Sequence, residues 1–173
     1  MKNNSTIEIR MAEHREAAAI SALIYDAFAD EKEKYTDGAF ADTTPGVEEI
    51  EERIKNKTVW VAVSNNVIVG TASCLTMGEG LYIRSVAVDR NARGSGIGRS
   101  LLNHMEKLAL GMDCKHLELT TCAFLLPARR MYESLGFKQN GFEMLHGTEL
   151  IRLKKILNPF SSKIKLQKYD HIK

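Results

Sequence analysis

The chain predicts an α+β fold, an α/β sandwich in which one central, mostly antiparallel sheet carries helices on its faces. Three observations lead there. Segments of apolar alternation and segments of helical spacing both occur, in the order β-α-α-β-β-β-α-β-α-β-β. Short turns join successive strands at Ser64-Asn65-Asn66, Gly78-Glu79-Gly80 and His146-Gly147, as antiparallel neighbours require. The repeated parallel strand-helix-strand series of a doubly wound sheet is missing. With 173 residues and 44% apolar content, one core is expected. That domain is read as residues 1–157, followed by a basic tail at 158–173.

Along the chain, Thr6 to Arg10 alternates and reads as a short strand. Ala18, Ile20, Leu23, Ile24, Ala27 and Phe28 recur at helical spacing, so Glu13 to Ala29 reads as an amphipathic helix. Lys34 to Thr44 is polar around Gly38 and reads as a loop. Thr44-Pro45 reads as an N-cap with proline at the first helical position, opening a helix with an apolar stripe at Val47, Ile50 and Ile54. Strands are expected at Thr58 to Val63, Val67 to Met77 and Leu81 to Val88. After a glycine-rich loop, Leu101, Leu102, Met105, Leu108 and Ala109 mark a helix that Gly111 closes. His116 to Thr121 is a strand, and Pro127 starts a helix that Gly136 ends. Phe137 to Leu145 and Thr148 to Ile156 form a closing hairpin.

Composition narrows the function classes. The net charge of +2 makes no demand for nucleic acid, and no apolar run has the roughly 18 residues of a membrane span. Met1 to Arg10 has no signal-peptide core, so a cytoplasmic location is expected. Cys74, Cys114 and Cys122 form no CxxC pair, which argues against a zinc or redox motif; no metal is expected. Ten acids between Asp26 and Glu52 meet only Lys32 and Lys34. Seven bases from Arg152 to Lys173 meet only Asp170.

The strongest chemical signal is Arg93-Gly94-Ser95-Gly96-Ile97-Gly98-Arg99, which follows a strand and opens a helix. Glycines allow positive φ and close approach of a ligand. Free amides at a helix N-terminus, with the helix dipole, favour an anion such as a phosphate. Arg93 and Arg99 add charge-assisted contacts. The P-loop pattern is absent, and the dinucleotide fingerprint fails in register because Arg99 stands where its third glycine belongs.

Ile83 to Val88, Arg93 to Gly98 and Leu101-Leu102 together resemble the core of the GNAT N-acetyltransferases. The family signature Q/R-x-x-G-x-G/A is met by Arg93, Gly96 and Gly98. A second element, Ala128 to Phe137, matches in the right order, and the resemblance covers roughly Ile7 to Ile156. It implies a single GNAT-like domain whose mixed sheet is splayed between the fourth and fifth strands. It implies acetyl-CoA as co-substrate, with pantetheine pairing along the backbone of Val86, Ala87 and Val88. Pyrophosphate would sit on the amides of Gly94, Ser95, Gly96, Ile97, Gly98 and Arg99. Leu125 departs from the pattern, because the family often has asparagine there.

Acetyl transfer to an amine needs a neutral nucleophile, a proton acceptor, donors to the developing oxyanion and a proton for the departing thiolate. Tyr132 matches the family tyrosine that supplies that proton. Glu79 is the leading candidate for the base, with Glu118 behind it; His104 and His116 read as surface or satisfied histidines. Arg84 is a candidate anchor for a substrate carboxylate or for the cofactor. The expected function is an acetyl-CoA-dependent N-acetyltransferase acting on a small amine, a polyamine, or a peptide or protein amine. The acidic segment would favour a cationic acceptor. The alternative is a non-catalytic module that senses acyl-CoA. No nucleic acid or membrane partner is expected, and open edge strands leave room for a homodimer.

Overall fold

The computed structural model describes residues 7–158. The expected tail at 158–173 lies outside the described residues except for Asn158, as does Thr6 at the start of the first expected strand. The elements are β1 (Glu8–Met11), α1 (Ala17–Phe28), α2 (Asp37–Thr43), α3 (Val47–Lys55), β2 (Val59–Ser64), β3 (Val67–Met77), β4 (Gly80–Val88), α4 (Ile97–Gly111), β5 (His116–Thr121), α5 (Leu126–Ser134), β6 (Lys138–Leu145) and β7 (Thr148–Ile156). The strands form one seven-stranded sheet in the order β1-β2-β3-β4-β5-β7-β6. Every neighbouring pair is antiparallel except β4–β5, which is parallel.

The period-two alternation of the strands builds two cores. On one face Val59, Val61 and Val63 of β2 pack against Ile20 and Ile24 of α1 and Ile50 and Ile54 of α3. On the other, Ala62, Ala72, Cys74, Leu81 and Ile83 pack against Leu101, Leu102 and Met105 of α4, and the cluster continues through Tyr132 of α5. Leu81, Ile83, Leu101, Leu117 and Leu119 are fully or almost fully buried. Each contributes roughly 2 kcal/mol from burial, which pins β4 and β5 beneath α4.

The pairing of β3 with β4 is irregular at one point. Thr71 faces Ala87 while Ser73 faces Arg84, so Ser85 and Val86 together stand opposite Ala72. This is a β-bulge, and Ser85 takes φ +52°. The alternation changes phase there. Leu81 and Ile83 face α4, but beyond the bulge Val86 and Val88 pack on that side and Ala87 turns to α1.

The structure corrects three expectations. The segment 34–44, expected as a loop, contains α2. Thr36 caps it, its hydroxyl accepting from the Ala39 amide at 3.3 Å, and Ala39 and Phe40 are buried with Tyr35, Cys122 and Leu150. Gly38 is tolerated inside this helix because a Cβ there would lie 2.8 Å from the His146 ring. Thr44 does not start the next helix: its hydroxyl donates to Phe40 O at 2.7 Å, closing α2, and Gly46 becomes the N-cap of α3. The first expected helix begins as a 3-10 turn at His14–Glu16, where Glu16 accepts from the Glu13 amide and from Arg10. After Phe28 it tightens again into a 3-10 turn, Ala29–Lys34.

Candidate active site

β4 and β5 pair over three positions only, from Gly80–His116 to Tyr82–Glu118. Beyond them the strands diverge, and a cavity of about 960 Å³ opens between Ile83–Val88 and Leu119–Cys122. Its volume is at the upper end of ordinary ligand sites. The splay expected between the fourth and fifth strands is therefore present. Val86, Ala87 and Val88 line the cavity, as do Arg93, Gly94, Gly96, Ile97, Gly98 and Arg99. Ser95 belongs to the same loop but not to the wall, and its hydroxyl donates to Ala92 O.

The loop has the form an anion cradle needs. Gly94 and Gly96 take φ of +78° and +86°, and a Cβ at either would meet nothing within 4 Å. Gly96 is the N-cap of α4, and the first intrahelical bond runs from the Ser100 amide to Gly96 O at 2.9 Å. The amides of Ile97, Gly98 and Arg99 precede that bond and have no intrahelical acceptor. Gly98 has a second reason to be glycine, because a Cβ there would lie 3.0 Å from Met131 Sδ, where α4 meets α5. Arg93 donates to Ala27 O at 2.9 Å and ties the end of α1 to the loop. Arg99 reaches Ser134 Oγ at 2.7 Å.

Tyr132 lines the cavity and is only 6% exposed. Its ring meets Phe137 edge-on at 6.0 Å. Burial pushes its phenol up to about 12. No side chain or carbonyl among the described residues hydrogen-bonds its hydroxyl, so the proton remains available to a ligand. Leu125, at the family's asparagine position, also lines the cavity, ahead of the first turn of α5.

The base candidates fare differently. Glu79 sits in the β3–β4 turn, outside the cavity wall, with its side chain 75% exposed and 3.6 Å from Lys115 Nζ. A carboxylate there does not reach the space between β4 and β5. Glu118 is also outside the wall, and its hydrogen bond from Lys154 holds it below the usual carboxylate range. His104 packs against Trp60 with ring centroids 4.2 Å apart and planes tilted by 53°, and burial lowers its affinity for a proton.

Sequence reasoning missed other parts of the wall. Tyr82 and Thr120 join across the mouth of the splay through their hydroxyls at 2.9 Å. Arg53 of α3 is 6% exposed and lines the cavity. It donates to Ser85 Oγ at 2.9 Å and pairs with Glu49. Its signal was present: position 53 borders the apolar stripe of Val47, Ile50 and Ile54, where a cation is unexpected.

The charges on the wall divide unevenly. Asp30 pairs with Arg90 at 2.7 Å, Glu31 with Lys34 at 2.5 Å and Asp42 with His146 at 2.9 Å. Glu49 pairs with Arg53, and Glu143 lies 4.0 Å from Arg152. Arg84 is half-buried, and its Nε is enclosed without a hydrogen-bond partner. No ion pair reaches its guanidinium among the described residues. Among those residues no cluster of His, Cys, Asp or Glu has metal-holding geometry.

Comparison with known proteins agrees with this geometry. A family model described as the acetyltransferase (GNAT) family matches residues 20–137. Human N-acetyltransferase 8B is 31% identical over 93 residues, covering 50% of this chain and 41% of that protein. N-acetylaspartate synthetase of Xenopus tropicalis is 34% identical over 84 residues, covering 47% of this chain and 31% of that protein. The chain thus spans less than half the length of these curated relatives. A ribosomal-protein-alanine N-acetyltransferase from Brucella melitensis superposes with a TM-score of 0.69 at 25% identity, covering 87% of this chain and 99% of that one. The structure of yncA from Salmonella typhimurium, solved with its cofactor acetyl-CoA, gives 0.70 at 20% identity, covering 88% and 94%.

Proposed function

The chain belongs to the acetyltransferase (GNAT) family, and from that premise we propose that it is an acetyl-CoA-dependent N-acetyltransferase whose acceptor is an amine. The observation that carries the reading is the junction of three features at one cavity. They are the free edges of β4 and β5, the first-turn amides of α4 and an unpartnered phenol at Tyr132.

The residues present fit acetyl-CoA. Open space at positions 94 and 96 lets the main chain approach a pyrophosphate, and the amides of Ile97 to Arg99 would hold it. Val86, Ala87 and Val88 would pair with pantetheine as an added strand, because the β4–β5 ladder has already ended. When bound, acetyl-CoA supplies an activated acyl group. The chain supplies the rest. A backbone amide of β4 near Val86 would donate to the carbonyl oxygen. Tyr132 would donate a hydrogen bond to the departing sulfur. The acceptor's proton would pass to solvent, since neither Glu79 nor Glu118 lines the cavity. The acceptor must lose that proton, because an ordinary alkylamine has a pKa near about 10.4.

Three free cysteines, two of them buried, support a cytosolic setting. The exposed Phe142 and Met144 on edge strand β6 support a homodimer. Coenzyme A release from acetyl-CoA over amino acids, polyamines, aminoglycosides and peptides tests the central proposal. Turnover on one acceptor class is expected. Tight acetyl-CoA binding with no turnover on any of them would favour a sensing module.

A further inference from the structure

The acidic N-terminal segment raises the expectation of a cationic acceptor, and the wall of the cavity removes its basis. Each carboxylate on the wall already stands beside a base: Asp30, Glu31, Asp42, Glu49 and Glu143 are all committed. The unmatched charge is positive. Arg84 has no ion pair among the described residues and its Nε is enclosed without a partner, whereas Arg53, almost completely buried nearby, is already held by Glu49. Burial lowers the proton affinity of Arg84, and repulsion from Arg53 lowers it further. A guanidinium partly withdrawn from water without an anion carries a cost, which is recovered when a carboxylate enters and takes donors of its fork.

Position decides which ligand brings that anion. Arg84 lies four residues before Val88, roughly 13 Å along an extended strand, and the phosphate cradle begins beyond Val88. The phosphates of the cofactor are therefore at the far end of the cavity. Arg84 shares a face of β4 with Tyr82, the face opposite α4, and it looks toward Arg53 and Glu49 of α3. Across the bulge at Ser85, it stands two residues from Val86, where the transferred group would sit. An anion bound here belongs to the acceptor, and it lies only a few bonds from the reacting amine.

We infer that the acceptor is a small amino acid, or an amino-acid-like acid, whose carboxylate is anchored by Arg84 while its amine faces the acetyl group. The inference rests on reading the cavity as an acetyl-transfer site and adds its substrate class. Arg84 is then a binding residue. Arg53 is a positioning residue, holding Ser85 and hence the stretch of β4 on which Arg84 stands.

The test compares matched acceptors. L-aspartate and L-leucine are assayed against asparagine amide and leucine amide, with spermidine and a peptide bearing a free N-terminus alongside. Losing one partner of a buried, hydrogen-bonded charge pair costs about 2–5 kcal/mol, so acids are expected to exceed their amides in kcat/KM by at least about 30-fold. Arg84→Gln is expected to raise KM for the acids and collapse that ratio, and Arg84→Lys to restore part of it. Acetyl-CoA affinity, read by calorimetry, should stay within about threefold. Amides, spermidine or the peptide turned over as well as the acids would overturn the inference, as would equal losses on acids and amides in Arg84→Gln. If nothing is acetylated, calorimetry of the same acids on coenzyme A-loaded protein decides. Binding that Arg84→Gln abolishes would uphold the carboxylate site while sinking the transfer reading; no binding of any acid would sink the carboxylate site itself.

Discussion

Replacing Tyr132 by phenylalanine removes one hydroxyl and nothing else, and the structure sets the size of the effect. The phenol is pushed up to about 12 by burial. A thiol of ordinary acidity lies near about 8.5, so complete transfer of the phenolic proton to a thiolate would run uphill by about 5 kcal/mol. Tyr132 would therefore act chiefly by donating a hydrogen bond to the departing sulfur, with the proton following later from water. A hydrogen bond to a charged group is worth about 1.5–3 kcal/mol, which corresponds to a loss of roughly 10- to 150-fold in kcat. No protein group hydrogen-bonds the hydroxyl among the described residues, and the ring contact with Phe137 is kept. The melting temperature should then move by less than about 2 °C, since 1 kcal/mol is worth about 2–4 °C at this size. Steady-state kinetics at saturating acetyl-CoA, with a thermal melt as control, reads both quantities. A kcat within about threefold of the parent, or a loss confined to KM for acetyl-CoA, would refute the role.

Three further outcomes are expected. Gly96→Val places a branched side chain at φ +86°, facing the open cradle; acetyl-CoA affinity by calorimetry should fall more than about tenfold, the discriminating result being a fall larger than the loss of stability explains. Arg53→Met strips Ser85 and Glu49 of their partner; stability should drop by about 1–3 kcal/mol in urea titration, and acceptor KM should rise more than acetyl-CoA KM. Tyr132 also gives the fold an alkaline limit. Its folded value of about 12 exceeds the ordinary 10.0, so its contribution is complete below pH 10 and is lost as pH rises through about 12. Between those values the unfolded chain ionises and the folded chain does not, which removes up to about 2.7 kcal/mol; Tyr132→Phe should flatten the decline of urea midpoints over that range.

Much of the fold was legible because the strongest signals are local. β3 and β5 run over the residues expected of them, β5 with its alternation intact, and the glycine loop announced its own geometry through residues that accept positive φ. The resemblance carried the splay of β4 from β5, which no local pattern encodes. What could not be read depends on distant partners. α2 looks like a loop because Gly38 and its polar neighbours are poor helix formers, yet Thr36 also gains support from the far β6–β7 turn, where its hydroxyl donates to His146 O at 2.7 Å. Glu79 looks like a cavity residue because it borders a central strand; the turn carries it outward to Lys115. Arg84 and Arg53 stand far apart in sequence, and nothing local says that both lose water on the same side of one strand.

The bulge at Ser85 ties these distant effects together. Holding a non-glycine residue at φ +52° costs about 1–3 kcal/mol, and such strain persists only where surrounding contacts enforce it. Arg53 provides one, reaching Ser85 Oγ from beneath α3. A regular β4 would keep Arg84, Val86 and Val88 on a single face, so either the arginine would be buried under α4 or the two valines would leave that core. The extra residue separates them. Arg84 stays on the α3 side, beside Arg53 and Glu49, while Val86 and Val88 return to the α4 side and hold the strand edge that a cofactor would extend. The added local twist accompanies the end of the β4–β5 ladder at Tyr82. The strained residue thus sets acceptor and donor on one strand, on opposite sides of the point where they must meet.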